Sequence, residues 1–312
     1  MEILFNKECL KHNPTNHVEG SYRVESFRGK FEDSGTKAEG EKHLQTLYTE
    51  EYIQAMEKAL EESNYVAEVN TNPYTYDLSC IAVDLAVKAS IRGAFAITRP
   101  PGHHASKTNA EGFCFFNNIA IASQRLLDKG KRVCIVDIDA HHGNGTQDIF
   151  QGEKNLLFCS IHQENTYPFS GSLEDEGVAN FPLVPNAGDD VLLNIAENLS
   201  TLINNFQPDV IGISAGFDGY HKDMLLNLNF TQKGYYEFAK IIIKNQKKTR
   251  AFCCLEGGYH KDVYDCTREL INGLTSNKYT GDEEFSTSPE EVLNNFYEKE
   301  NIFKKIHGLP PK

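Results

Sequence analysis

Short apolar runs alternate along this chain with longer amphipathic stretches, and no repeat, low-complexity tract or long Pro/Ser linker interrupts the alternation. The runs at 2–5, 94–98, 132–138, 156–161, 210–213 and 251–255 are mostly near-continuous in apolar residues. A strand with one wet face alternates apolar and polar side chains, whereas a strand covered on both faces does not. These runs therefore read as parallel strands buried between two layers. Helical periodicity occupies 50–62, 78–90, 118–129, 191–205 and 231–247, with Asp189 and Thr231 placed to cap two of these helices through side-chain oxygens. The alternation predicts an α/β fold with a mostly parallel sheet. At 312 residues the chain can bury a sizeable core, and the unbroken pattern predicts a single domain over 1–312.

Composition excludes several functions. A net charge of −13, from 31 basic and 44 acidic residues, argues against nucleic-acid binding, which draws on a basic surplus or stripe. The same charge tolerates a cationic substrate without requiring one. Hydrophobic content of 40% and charged content of 24% describe a folded globule. No apolar run approaches the ~18 residues of a membrane span. The opening MEILFNKECL lacks the basic and long apolar regions of a secretory signal. Eight cysteines, at 9, 80, 114, 134, 159, 253, 254 and 266, form no C-x-x-C pair, so reduced thiols and a cytoplasmic location are expected.

Four of the expected strands run into polar loops dense in His, Asp and Gly: RPPGHHA, DIDAHHGNG, SAGFDG and EGGYH. Open α/β sheets bind ligands beyond the carboxyl ends of their strands, so four such loops converging there would build one site. Asp139 and His141 stand two apart at a strand end, where side chains i and i+2 point the same way and can grip one ion. Asp218, closing another strand, can supply a third ligand. Two carboxylates, one imidazole and an open position make a catalytic rather than a structural metal site. The competing reading is that these groups cap strand ends and bind loop backbone. His103 and His104 follow the rigid turn Arg99-Pro100-Pro101-Gly102, with Asp137 and Asn144 available to orient two imidazoles. Tyr259, after Gly257-Gly258, is either a hydroxyl donor to a developing oxyanion or a packing residue in a glycine turn.

RPPGHHA, GFCFFNN, VDIDAHHGNGTQ, SAGFDG and LEGGY, in this order, resemble the zinc-dependent histone deacetylase superfamily, in its class II-like pattern. That superfamily includes bacterial acetoin-utilisation and acetylpolyamine amidohydrolase proteins. The resemblance implies the arginase–deacetylase fold, a three-layer α/β/α sandwich. It implies one zinc ion held by Asp139, His141 and Asp218, and tandem imidazoles with His104 the base and His103 electrostatic. Asp137 would then support His103, Asn144 would support His104, and Tyr259 would polarise the amide carbonyl. Gly112 and Phe113, with Tyr167 opposite, would wall an acyl-lysine tunnel, and Leu225 would stand at its rim. A potassium ion bound by backbone carbonyls of Asp137, Asp139, His141, Ser160 and Ile161 is a further family expectation, as is inhibition by hydroxamates. Some members carry Asp at the position of Asn144; a neutral amide orients His104 without stabilising its imidazolium, which should keep that base neutral.

Two rival readings remain. A dinuclear ureohydrolase of the arginase type shares the fold but needs further carboxylates, where this chain has Gly143 and Tyr220. A silent acetyl-lysine-binding scaffold would have no need of Tyr259. For substrate, an acyl-lysine peptide or protein is favoured over an acylated polyamine or small acyl-amine. The segment HNPTNHVEGSYRVESF lacks the long insertion of bacterial acetylpolyamine enzymes, and the rim position Leu225 is apolar rather than acidic.

Overall fold

A computed structural model of the chain describes residues 1–14, 16–244, 246 and 249–311. Its centre is a seven-stranded sheet in the order β1-β4-β9-β8-β5-β6-β7, parallel throughout. The strands are β1 (Ile3–Leu4), β4 (Phe95–Ala96), β5 (Val133–Asp137), β6 (Leu156–Gln163), β7 (Ala179–Leu183), β8 (Val210–Ala215) and β9 (Arg250–Leu255). A separate two-stranded hairpin pairs β2 (Tyr65–Val66) with β3 (Val69–Asn70).

The pleat sends alternate residues of each strand to opposite faces, and each face meets its own apolar layer. Cys134 and Val136 of β5 join one core cluster with residues of α7 (Asp189–Phe206), α8 (Gln232–Ile243), α9 (Val263–Leu274) and α10 (Glu290–Ile306). Val133 and Ile135 join the other, with residues of α2 (Lys37–Leu44), α3 (Glu50–Glu62), α4 (Thr75–Arg92), α5 (Asn118–Leu127) and α6 (Asn144–Phe150). A sheet covered on both sides explains why the strands read as continuous apolar runs. The remaining α-helix among the described residues, α1 (Tyr22–Glu25), is a single turn, and a 3-10 helix spans Lys7–Lys11.

Expected and observed elements differ in instructive places. β7 was not expected: its sequence, Ala-Asn-Phe-Pro-Leu, carries a proline that cannot donate to the ladder. The strand tolerates it because β7 is the sheet edge, where α10 covers Phe181 through Phe296 and Phe303, with ring centroids 5.7 and 4.7 Å away. Thr231 caps α8, its hydroxyl accepting the Gly234 N–H at 3.0 Å. Asp189 does not cap α7; Gly188 takes that position, and the Asp189 carboxylate accepts from the N–H and hydroxyl of Thr231 at 3.0 and 2.6 Å. The expected helix 231–247 reaches Ile243, and residues 245 and 247 lie outside the described residues. All eight cysteines are buried and free. Among the described residues no helix is long and apolar enough to cross a membrane.

Strand order fixes where a ligand can bind. From β5 the chain steps outward through β6 to β7, then returns to β8 on the opposite side of β5 and continues to β9. The order reverses between β5 and β8, and a crevice opens beyond their carboxyl ends at such a reversal. The loops after β5 and β8 carry Asp139, His141 and Asp218.

Candidate active site

Asp139, His141 and Asp218 each bring one ligand atom to a common centre, all within 4.8 Å of one another. His141 Nδ1 lies 2.7 Å from Asp218 Oδ2 and 3.3 Å from Asp139 Oδ1. Backbone amides anchor both carboxylates: Ala140 N–H donates to Asp218 Oδ1 and Gly257 N–H to Asp139 Oδ2, each at 2.7 Å, and His141 N–H donates to Asp139 Oδ1 at 2.9 Å. Each carboxylate is thus fixed in place while offering one ligand atom to the common centre, as a single metal ion would need. Burial and the neighbouring Asp139 carboxylate push Asp218 up to about 7. Two buried carboxylates a few ångströms apart are costly side by side, and a divalent cation removes that cost. The backbone is shaped around this centre: a Cβ on Gly257 would lie 2.6 Å from both Asp139 Oδ2 and Asp218 Oδ2. The donor set therefore fits one divalent ion.

The tandem histidines stand beside it, their ring centroids 4.0 Å apart. His103 Nδ1 lies 3.0 Å from Asp137 Oδ2, and His104 Nδ1 lies 2.7 Å from Asn144 Oδ1. The two rings are pushed in opposite directions. Burial would lower His103, but the carboxylates of Asp139 and Asp137 outweigh it and hold the ring up at about 10. Burial first, and then the charges on His103 and His141, drive His104 well below the usual imidazole range. Adjacent imidazoles cannot both ionise cheaply, and the one with only a neutral amide partner stays neutral. That leaves His104 able to accept a proton.

A pocket of about 230 Å³ reaches down to these groups, with Gly112, Phe113, Tyr167, Leu225 and Tyr259 among its lining residues. Tyr167 stands edge-on to His104, ring centroids 5.2 Å apart, and Phe113 edge-on to Tyr259 at 6.3 Å. Gly112 has φ +58°, and a Cβ there would meet His104 Cδ2 at 2.3 Å, so both backbone twist and space demand glycine. Ser160 and Ile161 lie buried in β6 beside β5, register-paired with Asn180 and Phe181 of β7. The Ser160 hydroxyl is engaged with His162 Nδ1 at 2.9 Å.

Tyr259 is buried and lines the pocket, where the Tyr167 hydroxyl has no hydrogen-bond partner among the described residues. The Tyr259 loop is held by residues that sequence patterns did not single out. Asp223 Oδ2 accepts the N–H groups of Tyr259 and His260 at 2.5 and 3.1 Å. Arg23 lies fully buried 4.6 Å over the Tyr259 ring, donating to the carbonyls of Gly258 and Glu256 at 2.6 and 2.5 Å. Glu19, equally buried, balances Arg23 and Arg99. Glu256 Oε2 accepts the N–H groups of Gly102 and His103, tying the histidine turn to the end of β9. Glu68 lines the pocket and accepts the Gly112 N–H at 2.7 Å. Arg23 lies 236 positions before Tyr259 in a segment with no motif, so local sequence carried no signal for it.

A buried three-donor cluster able to hold a metal ion, at the switch point of a doubly covered parallel sheet, beside paired imidazoles and under a pocket, defines the class: an α/β protein with a candidate metal-binding active site. A family model, the histone deacetylase domain, matches residues 17–274. The chain belongs to the histone deacetylase family. It is 34% identical over 290 residues to a probable deacetylase of Archaeoglobus fulgidus, covering 82% of this chain and 80% of that protein. It is 33% identical to histone deacetylase 14, chloroplastic, of Arabidopsis thaliana, over 84% of this chain and 75% of that one. Acetylpolyamine amidohydrolase 1 of Pseudomonas aeruginosa is 38% identical over 55% of this chain and 53% of its own. Among solved structures the HDA15 HD domain superposes with a TM-score of 0.84 at 25% identity, covering 98% of this chain and 96% of that one.

Proposed function

We propose that this chain is a zinc-dependent deacetylase that removes acetyl or other short acyl groups from lysine side chains in peptides or proteins. The observation that carries the reading is the placement of His104, its Nδ1 on Asn144 Oδ1, and of Tyr259 in one pocket that reaches the Asp139–His141–Asp218 donor set. A zinc ion in that set supplies Lewis-acid polarisation of the amide carbonyl and makes water more acidic. The protein's own residues do the rest. Phe113 and Tyr167 flank the aliphatic stem of the acyl-amine and exclude bulk water. His104 takes a proton from the attacking water through Nε2, water oxygen bonds to the carbonyl carbon, and the Tyr259 O–H donates to the carbonyl oxygen as it gains negative charge. The C–N bond then breaks, His104 returns its proton to the departing amine, and a carboxylic acid and a free amine remain. His103, whose pKa the carboxylates of Asp139 and Asp137 raise, favours positive charge nearby. Backbone carbonyls of Asp137, Asp139, His141, Ser160 and Ile161 holding potassium, and a cytoplasmic setting, complete the proposal.

An acylated polyamine is the second reading, favoured by the carboxylate of Glu68 in the pocket wall; the apolar Leu225 opposes it. Metal analysis combined with a panel of acyl-lysine peptides and acetylpolyamines tests both. About one zinc per chain, turnover of the peptides at higher kcat/KM than the polyamines, and inhibition by hydroxamates are expected. Two metals per chain, or no turnover of any acyl-amine, would sink the proposal.

The neutral partner of His104 gives a pH prediction. In Asn144→Asp a carboxylate faces the imidazole and favours its protonated form, raising its pKa. The base must be neutral to act, so the acidic limb of the pH–rate profile should move upward. An unchanged or lowered limb would show that residue 144 does not govern the base.

A further inference from the structure

A neutral imidazole carries its proton on one nitrogen, and the partner of that nitrogen decides which. His104 serves as a base only with the proton on Nδ1 and the lone pair on Nε2. An aspartate at Nδ1 enforces this, because a carboxylate only accepts. An asparagine does not: its amide shows an accepting oxygen on one side and a donating NH2 on the other. Turned over, it would present its NH2 to Nδ1, shift the proton to Nε2 and block the base.

The structure shows what prevents the turn. Asn144 Nδ2 donates to Glu111 Oε1, while Asn144 Oδ1 faces His104 Nδ1. A carboxylate has no proton to give, so only the NH2 can face it. Glu111 is itself fixed: its Oε2 accepts from Asn109 Nδ2 at 2.9 Å, and the loop folds on the Ser106 hydroxyl, which accepts the N–H groups of Thr108 and Asn109 at 3.3 and 3.1 Å. Glu111 forms an isolated bridge with Cys114, and the next residue, Gly112, abuts His104. We propose that Glu111 is a positioning residue that locks the Asn144 amide and, through it, holds His104 in the Nδ1-protonated tautomer. The chain Glu111–Asn144–His104 does for an asparagine what an aspartate would do directly. It keeps the carboxylate one residue away from the imidazole, so the orientation is gained without the rise in pKa. This rests on the reading of His104 as the base.

Glu111→Gln tests it. Glutamine accepts or donates, so both orientations of the Asn144 amide become satisfiable. We expect kcat to fall about tenfold, the scale of an outer-shell orienting contact, with KM within twofold and melting temperature unchanged. Histidine 15N shifts of the metal-free protein, assigned to His104 by their loss in His104→Gln, should change from a pure Nδ1–H form to a mixture of tautomers. In an Asn144→Asp background, which is acceptor-only by itself, E111Q should cost nothing or help, each variant being assayed at its own pH optimum. An equal loss in both backgrounds would mark Glu111 as a purely structural residue and overturn the proposal. A His104 that stays fully Nδ1-protonated in both E111Q and E111A would overturn it too, and this arm decides even if the protein hydrolyses no amide.

Discussion

Replacing Asp218 by alanine should strip the chain of zinc and reduce amide hydrolysis by at least ~10³-fold, since the several kcal/mol of Lewis-acid stabilisation goes with the ion. Asp218 is fully buried in the loop after β8, and it supplies the donor that lies 2.7 Å from His141 Nδ1. Without it only Asp139 and His141 remain, and two ligands seldom hold Zn²⁺ tightly. The substitution also orphans the Ala140 N–H, which Asp218 Oδ1 accepts, so some loss of stability is expected, about 1–3 kcal/mol. Asp218→Asn separates the effects: an amide oxygen still accepts that N–H, while the charge is gone. Both variants should be metal-poor by elemental analysis, with the asparagine variant near the wild-type melting temperature of metal-free protein. Full occupancy in both variants would remove Asp218 from the metal site.

Tyr259→Phe should lower kcat by ~10²–10³-fold with folding and metal content nearly unchanged, the scale of one lost oxyanion donor. Either of the two sequence readings of this residue predicts burial, so deleting the hydroxyl alone is what separates them. The ring keeps its contacts in the variant, under the Arg23 guanidinium at 4.6 Å and against Phe113 at 6.3 Å. Burial raises the phenol well above its ordinary pKa, so it remains a donor throughout the neutral range. Its loop is anchored, because Asp223 accepts the Tyr259 N–H and Arg23 donates to the carbonyls of Gly258 and Glu256. Activity retained within a few-fold of wild type would return Tyr259 to a packing role.

Much of the fold was legible because its signals are local. Glu50–Glu62 has the bounds its periodicity indicates, and β5, β6, β8 and β9 fall on the expected apolar runs. β7 escaped because its proline and asparagine read as loop, and only its place at the sheet edge makes them acceptable. α9 and α10 were not expected either: both lie beyond the last expected strand.

The same division holds in the site. The sequence by itself determined the chemistry: Asp139 and His141 two apart at a strand end, His103-His104 after a turn, Asn144 three beyond His141, and Tyr259 behind two glycines. Each pattern spans a few residues, within which backbone geometry alone fixes which side chains share a direction. The tertiary structure decided what these groups become together. Strand order places β8 next to β5, so Asp218 meets Asp139 and His141 across the switch point rather than capping its own strand. It also brings Arg23 over Tyr259, Asp223 beneath the Tyr259 amide, and Glu111 onto the far side of Asn144. These partners lie tens to hundreds of positions away. A hydrogen bond depends on distance in space, and separation along the chain leaves no periodicity from which to read it.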